Sequence, residues 1–217
     1  IGVHGAVATN TGTSALHLSL LSIGIKKGDY VAIPSFVCTA LLNAVKYVGA
    51  QPILVDINPE TYNMDISNLK KRVKRSTKAI ILPHLFGLPA DIDEIMSLGI
   101  PVIEDCALAI GAVYKGKKAG SYGRLSCFSF YATKVLSTGE GGMVVSDSKN
   151  LLKKIRDFRD YDNKKNYSVR YNYKMTDIQA AMGIAQLKKL HSFLLKRVNI
   201  AKRYSSALQE FCNVPSV

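Results

Sequence analysis

The feature that most restricts this chain is a series of short apolar runs with no polar alternation. Residues 30–34, 52–56, 78–82 and 101–104 leave little room for a wet face, so each is predicted to be a strand buried on both sides. Between them lie longer stretches with apolar residues at helical spacing: residues 13–24, ended by Gly24 and Gly28, residues 39–48, stopped by Gly49, and residues 66–74 and 92–98. Two more strands are predicted at 126–131 and 143–146, followed by a helix near 149–159. Strands interleaved with helices predict a three-layer α/β/α domain around a mostly parallel sheet.

The tail reads differently. A polar loop rich in Tyr and Lys (residues 160–173) precedes two long helices predicted at 176–190 and 193–208, the first with cap chemistry from Thr176 and Asp177. Residues 1–190 are therefore expected to form one large domain, and residues 191–217 a long helix leading into a smaller C-terminal domain. The chain starts Ile-Gly-Val-His and is read as a piece of a longer protein.

Composition narrows the function classes. With 47% hydrophobic residues among 217, the chain can fill one substantial core, and no window holds the ~20 apolar residues of a membrane span. The four cysteines, Cys38, Cys106, Cys127 and Cys212, form no Cys-x-x-Cys pair, and three sit in apolar runs where burial is expected. A reduced, cytoplasmic protein without a structural metal follows. The net charge of +13 admits nucleic acid, anionic lipid or a phosphorylated substrate as a partner. The densest run, Lys70-Lys71-Arg72-Val73-Lys74-Arg75, interrupts a helical pattern and reads as its solvated face, which argues against nucleic acid.

Three segments carry candidate chemistry. Thr9-Asn10-Thr11-Gly12-Thr13-Ser14 puts a hydroxyl-rich turn at a helix start, which suits either an ordinary N-cap or a bound phosphate. Residues 100–105 end a buried strand in Glu104 and Asp105. A carboxylate at a strand's carboxyl end can hold the proton of a pyridinium nitrogen, and alternation lets only one of the two point inward without saying which. Finally, residues 127–134 run a strand into a loop carrying Lys134, with Gly139-Glu140-Gly141-Gly142 following. A lysine placed there is partly desolvated, which favours the neutral amine that forms imines. Together these supply a phosphate site, an acid for a ring nitrogen and an amine nucleophile, the minimum set for pyridoxal 5′-phosphate (PLP).

Six ordered segments resemble the DegT/DnrJ/EryC1/StrS family of fold-type I, PLP-dependent aminotransferases, which act mainly on nucleotide-linked keto sugars. They are residues 8–18, Pro34-Ser35-Phe36, Ile103-Glu104-Asp105, residues 128–134, Gly139-Glu140-Gly141-Gly142 and residues 171–181. The resemblance implies that Lys134 binds the cofactor aldehyde and then moves a proton, and that Asp105 pairs with the pyridine nitrogen. It also implies that Gly12, Thr13, Ser14 and Ser129 hold the phosphate. Asn172 would reach the phosphate in a neighbouring subunit, which implies a homodimer with shared active sites. Glutamate is the implied amino donor. Three positions depart from the family pattern: Leu108 stands where Gln or His usually approaches the cofactor's phenolic oxygen, Cys38 where an aromatic ring often stacks, and Arg170 where a small residue commonly precedes the Tyr-Asn pair. Those departures keep open a degenerate or regulatory PLP-binding protein. A related sugar dehydratase would replace the lysine by histidine, so Lys134 argues against it. A polyanion-binding module rests on charge alone.

Overall fold

The computed structural model describes residues 1–212 and Val214. In chain order the elements are β1 (Gly5–Thr9), α1 (Gly12–Ser22), β2 (Tyr30–Pro34), α2 (Ala40–Tyr47), β3 (Gln51–Val55), α3 (Ile66–Arg72) and β4 (Thr77–Pro83). They continue with α4 (Ile92–Met96), β5 (Val102–Asp105), β6 (Val113–Tyr114), β7 (Lys117–Lys118), β8 (Leu125–Ser129), β9 (Gly142–Ser146), α5 (Lys149–Arg159), α6 (Asp177–Leu187) and α7 (Leu190–Leu208). Seven strands form one sheet in the order β1-β9-β8-β5-β4-β2-β3, and β6 and β7 make a separate small hairpin.

Pairings among β3, β2, β4, β5 and β8 are parallel, while β9 runs antiparallel to both β8 and β1. The mostly parallel expectation holds, with an antiparallel edge added. Strand β1 was not predicted: Gly-Ala-Val-Ala-Thr is too small and weakly apolar to announce a strand, and it forms because β9 offers it a full register from Gly5↔Ser146 to Thr9↔Gly142.

The absence of a wet face has a direct structural cause. On β2, Val31 and Ile33 join one apolar cluster with α1, α2 and α5, while Ala32 joins a second with α3 and α4. On β4, Ala79 and Ile81 face the first cluster, and Ile80 and Leu82 the second. Successive side chains therefore enter opposite cores, the Val, Ile and Leu among them each contributing about 1.5–3 kcal/mol of burial. Two cysteines, Cys106 and Cys127, are buried, whereas Cys38 and Cys212 are exposed, so one fewer thiol is buried than its apolar neighbours suggested. The basic run around α3 is exposed, as a solvated helix face would be.

The caps explain where the helices begin. Thr11 caps α1 by accepting from the Ser14 N–H, Asp65 caps α3 through the Asn68 N–H, and Thr176 with Gln179 forms a reciprocal capping box on α6. No residue of α6 or α7 is buried, and the two helices break at Lys188 and Lys189. No helix is long and apolar enough to cross a membrane among the described residues.

One core residue carries a pH signature. His17 of α1 is 3% exposed and lies edge-on to Tyr47, Tyr171 and Tyr173, with ring centroids 4.9–6.0 Å away. Burial lowers its pKa from 6.5 to about 4. The unfolded chain therefore binds a proton more readily than the folded one. Stability from the neutral ring is whole above pH 6.5 and is lost as the pH falls toward about 4. His17→Phe is expected to flatten the fall in urea midpoint across that window, and an unchanged slope would show that His17 does not titrate as a buried group.

Candidate active site

The sheet's carboxyl end opens into a cleft of about 320 Å³. Four separate segments line it: Thr11, Gly12 and Thr13 at the start of α1, Cys38 before α2, Asp105 at the end of β5 with Ala107 after it, and Ser129 at the end of β8 with Lys134 after it. Residues more than 120 positions apart in the chain are brought together because parallel strands all discharge their loops at one edge.

Alternation on β5 decides between the two acids. Asp105 shares parity with Ile103, whose side chain lies in the cluster under α1, so its carboxylate reaches the cleft. Glu104 shares parity with Val102 and enters the opposite side of the sheet. Asp105 Oδ1 accepts from the Ala107 N–H at 2.9 Å, and among the described residues no other donor from the chain reaches this carboxylate. Burial pushes the Asp105 carboxyl up, while the Ala107 N–H and the positive charge of Lys134 pull the other way. Lys134 is half-buried, on a turn closed by its own N–H donating to Tyr131 O at 2.9 Å.

The start of α1 sits unusually close to the sheet. A Cβ on Gly12 would lie 2.8 Å from Ser129 Cβ, and one on Gly142 would lie 2.3 Å from Thr11 O. The glycines thus serve contact between helix start and strand. Gly12 and Thr13, as the first residues of the helix, have N–H groups without intrahelical acceptors, directed to the same end as the Ser129 hydroxyl. Ser14 is placed otherwise: its hydroxyl pairs with Thr11 Oγ1 at 2.9 Å, so its side chain belongs to the cap.

Three of the residues named from sequence, Ser14 among them, lie outside the lining of a single chain's cleft. Leu108 is 38% exposed and does not line it, and Asn172 is exposed on the segment between α5 and α6. Conversely, Thr11, Leu16, Tyr131 and Glu140 line the cleft and were not singled out. Leu16 lies one turn below Gly12, so the helical period from the phosphate-type turn carried the signal for it.

Among the described residues one group has metal-ligand chemistry within reach: His84, Glu104 and Cys106, with ligand atoms within 4.8 Å of one another. It is committed elsewhere. Both Glu104 oxygens accept hydrogen bonds from the chain, His84 Nδ1 accepts from the Ala90 N–H, and burial pushes the Cys106 thiol well above its ordinary range.

With this geometry in view, residues 1–216 match the model of the DegT/DnrJ/EryC1/StrS aminotransferase family. The chain belongs to that family. The GDP-perosamine synthase of Escherichia coli O157:H7 is 40% identical over 221 residues, covering 98% of this chain and 61% of that protein. A protein of Bacillus subtilis named putative pyridoxal phosphate-dependent aminotransferase EpsN is 37% identical, over 96% of this chain and 58% of its own length. The crystal structure of S. venezuelae DesV in complex with a ketimine intermediate superposes with a TM-score of 0.94 at 33% identity, over 99% of this chain and 61% of that one. The chain thus spans about three fifths of the length of these relatives.

Alanine at position 12 tests the close approach directly. Although alanine is the better helix former, Gly12→Ala is expected to cost about 1–3 kcal/mol through its contact with Ser129. A urea midpoint equal to wild type would show that the helix start is free to move away from β8.

Proposed function

We propose that this chain is the cofactor-bearing part of a PLP-dependent aminotransferase that transfers an amino group from glutamate to a nucleotide-linked keto sugar. The observation that carries the reading is the convergence of one lysine, one buried aspartate and one open helix start on a single cleft. Membership of the family and the names of its relatives support the reaction class and a sugar substrate.

The residues present fit the cofactor at three points. The Gly12 and Thr13 N–H groups and the Ser129 hydroxyl suit a phosphate, assisted by the positive end of the α1 dipole. Asp105, with one oxygen held by Ala107, has its other oxygen for a ring nitrogen. Lys134, across the same cleft, is the amine for the aldehyde. When bound, PLP supplies an electron sink that stabilises negative charge on the amino-bearing carbon. The chain's own part is to keep a proton on the ring nitrogen through Asp105, to hold the phosphate end fixed, and to move a proton at Lys134 Nζ.

In this reading Cys38 leaves the cofactor face without a stacked ring, since a thiol offers less dispersion contact than an aromatic face. That position also favours a second reading, a protein that binds PLP without turning over. Exposure of Asn172 outside its own chain's cleft supports a homodimer in which it serves the partner's site. The exposed Leu195, Val198, Ile200 and Phe211 support packing of residues 191–217 against a smaller domain or a partner.

Three measurements test the proposal. The protein with PLP is expected to develop an imine absorbance band that borohydride removes and that Lys134→Ala lacks. Glutamate should bleach the band in a working transaminase and leave it in a mere binder. Cys38→Tyr is expected to tighten PLP binding several-fold, within about 0.5–1.5 kcal/mol for one aromatic contact. A wild-type protein without the band would overturn the PLP reading.

A further inference from the structure

Glu104 precedes Asp105 on β5 and has no part in the cleft. It is fully buried, and among the described residues its one ionisable partner is His84. Its oxygens accept five hydrogen bonds. Oε2 takes His84 Nε2 at 2.9 Å and the Gly120 N–H at 2.7 Å. Oε1 takes the Tyr122 N–H at 2.8 Å, the Gly123 N–H at 2.6 Å and the Ser126 hydroxyl at 3.1 Å.

The pairing with His84 is not an ordinary ion pair. His84 Nδ1 accepts from the Ala90 N–H at 3.0 Å, so that nitrogen keeps its lone pair and the ring proton resides on Nε2. A neutral imidazole therefore donates to a carboxylate. Burial pushes the Glu104 carboxyl up, but the donors from His84, Gly123 and Gly120 outweigh it and hold the group below the usual carboxylate range. This is a buried anion satisfied by directed donors.

Those donors come from three places that frame Asp105. The His84 backbone N–H, just after β4, donates to Asp105 O at 3.1 Å. Ser126 is the register partner of Glu104 on β8, three positions before Ser129 of the cleft. Gly120 and Gly123 lie on the loop that feeds β8, and neither has room for a side chain: a Cβ would sit 2.7 Å from the Phe128 ring or 3.0 Å from Val102 O. An apolar side chain in place of Glu104 would fill the space equally well, yet it would not fix these groups in direction.

We propose that Glu104, oriented by His84, is the positioning residue for Asp105, clamping the ends of β4 and β5 to the start of β8 so that the Asp105 carboxylate presents one direction to the cofactor's ring nitrogen. This rests on the PLP reading above for the identity of the ring, but the link between Glu104 and Asp105 does not.

The isosteric Glu104→Gln keeps one acceptor oxygen and sets its amide NH₂ against either the two donors at Oε2 or the three at Oε1. Ser126→Ala removes one donor gently, so it serves if the first variant does not fold. Leu69→Ala, buried in the second core away from the cleft, is the stability control. Two readouts are taken on the intact protein: the Asp105 carboxyl titration by ¹³C NMR without cofactor, and PLP affinity with the pH midpoint of its bound band. Glu104→Gln is expected to move the Asp105 midpoint by on the order of one pH unit and to weaken PLP binding about tenfold. Ser126→Ala should do less in the same direction, and Leu69→Ala should lower the melting temperature alone. If both test variants behave like Leu69→Ala, with the Asp105 midpoint unmoved, the positioning role is refuted. If wild type gives no PLP band while Asp105 still follows Glu104, the role stands and the cofactor reading fails.

Discussion

Covering both faces of the central sheet obliges each successive side chain of β2, β4 and β5 to enter a different core. Val31 and Ala32, or Ile80 and Ile81, are neighbours in sequence yet never share an environment. Positions of these strands that face a core are mostly apolar, so chemistry is displaced to the strand ends. In a parallel sheet those ends lie along one edge, and the cleft forms there.

The same alternation separates two adjacent acids that composition treats alike. Asp105 meets the cleft with one oxygen engaged by Ala107, and burial raises its pKa. Glu104, one residue earlier, is saturated with donors and held below the carboxylate range. One acid keeps an oxygen for a ligand and the other spends both on the scaffold. Neither role follows from residue type, because the difference is the number of donors that each face of the sheet supplies.

Glycine settles how closely the phosphate-type helix start can approach that edge. Gly12 against Ser129 and Gly142 against Thr11 leave no space for a Cβ, so the α1 amides and the Ser129 hydroxyl come within one cleft. The Gly139-Glu140-Gly141-Gly142 motif is thus explained by contact at Gly142 more than by freedom of the loop around Lys134.

Most of the layered architecture could be read from the chain, because unbroken apolar runs and 3.6-residue periodicity reflect local burial that each segment carries with it. The phosphate-type turn, the two acids and Lys134 were also visible, as residue types at the ends of such runs. Strand β1 was not, since its small side chains carry no burial signal and its partner β9 lies more than 130 residues away. Likewise, the choice of Asp105 over Glu104, the removal of the Ser14 hydroxyl into the cap, and the inclusion of Thr11, Tyr131 and Glu140 in the cleft depended on which face and which loop met across the sheet. Sequence by itself determined the elements and the reactive groups, because those are properties of single segments. Only the tertiary structure decided their partners, because a hydrogen-bond donor brought from a distant strand end has no signature in the segment that accepts it.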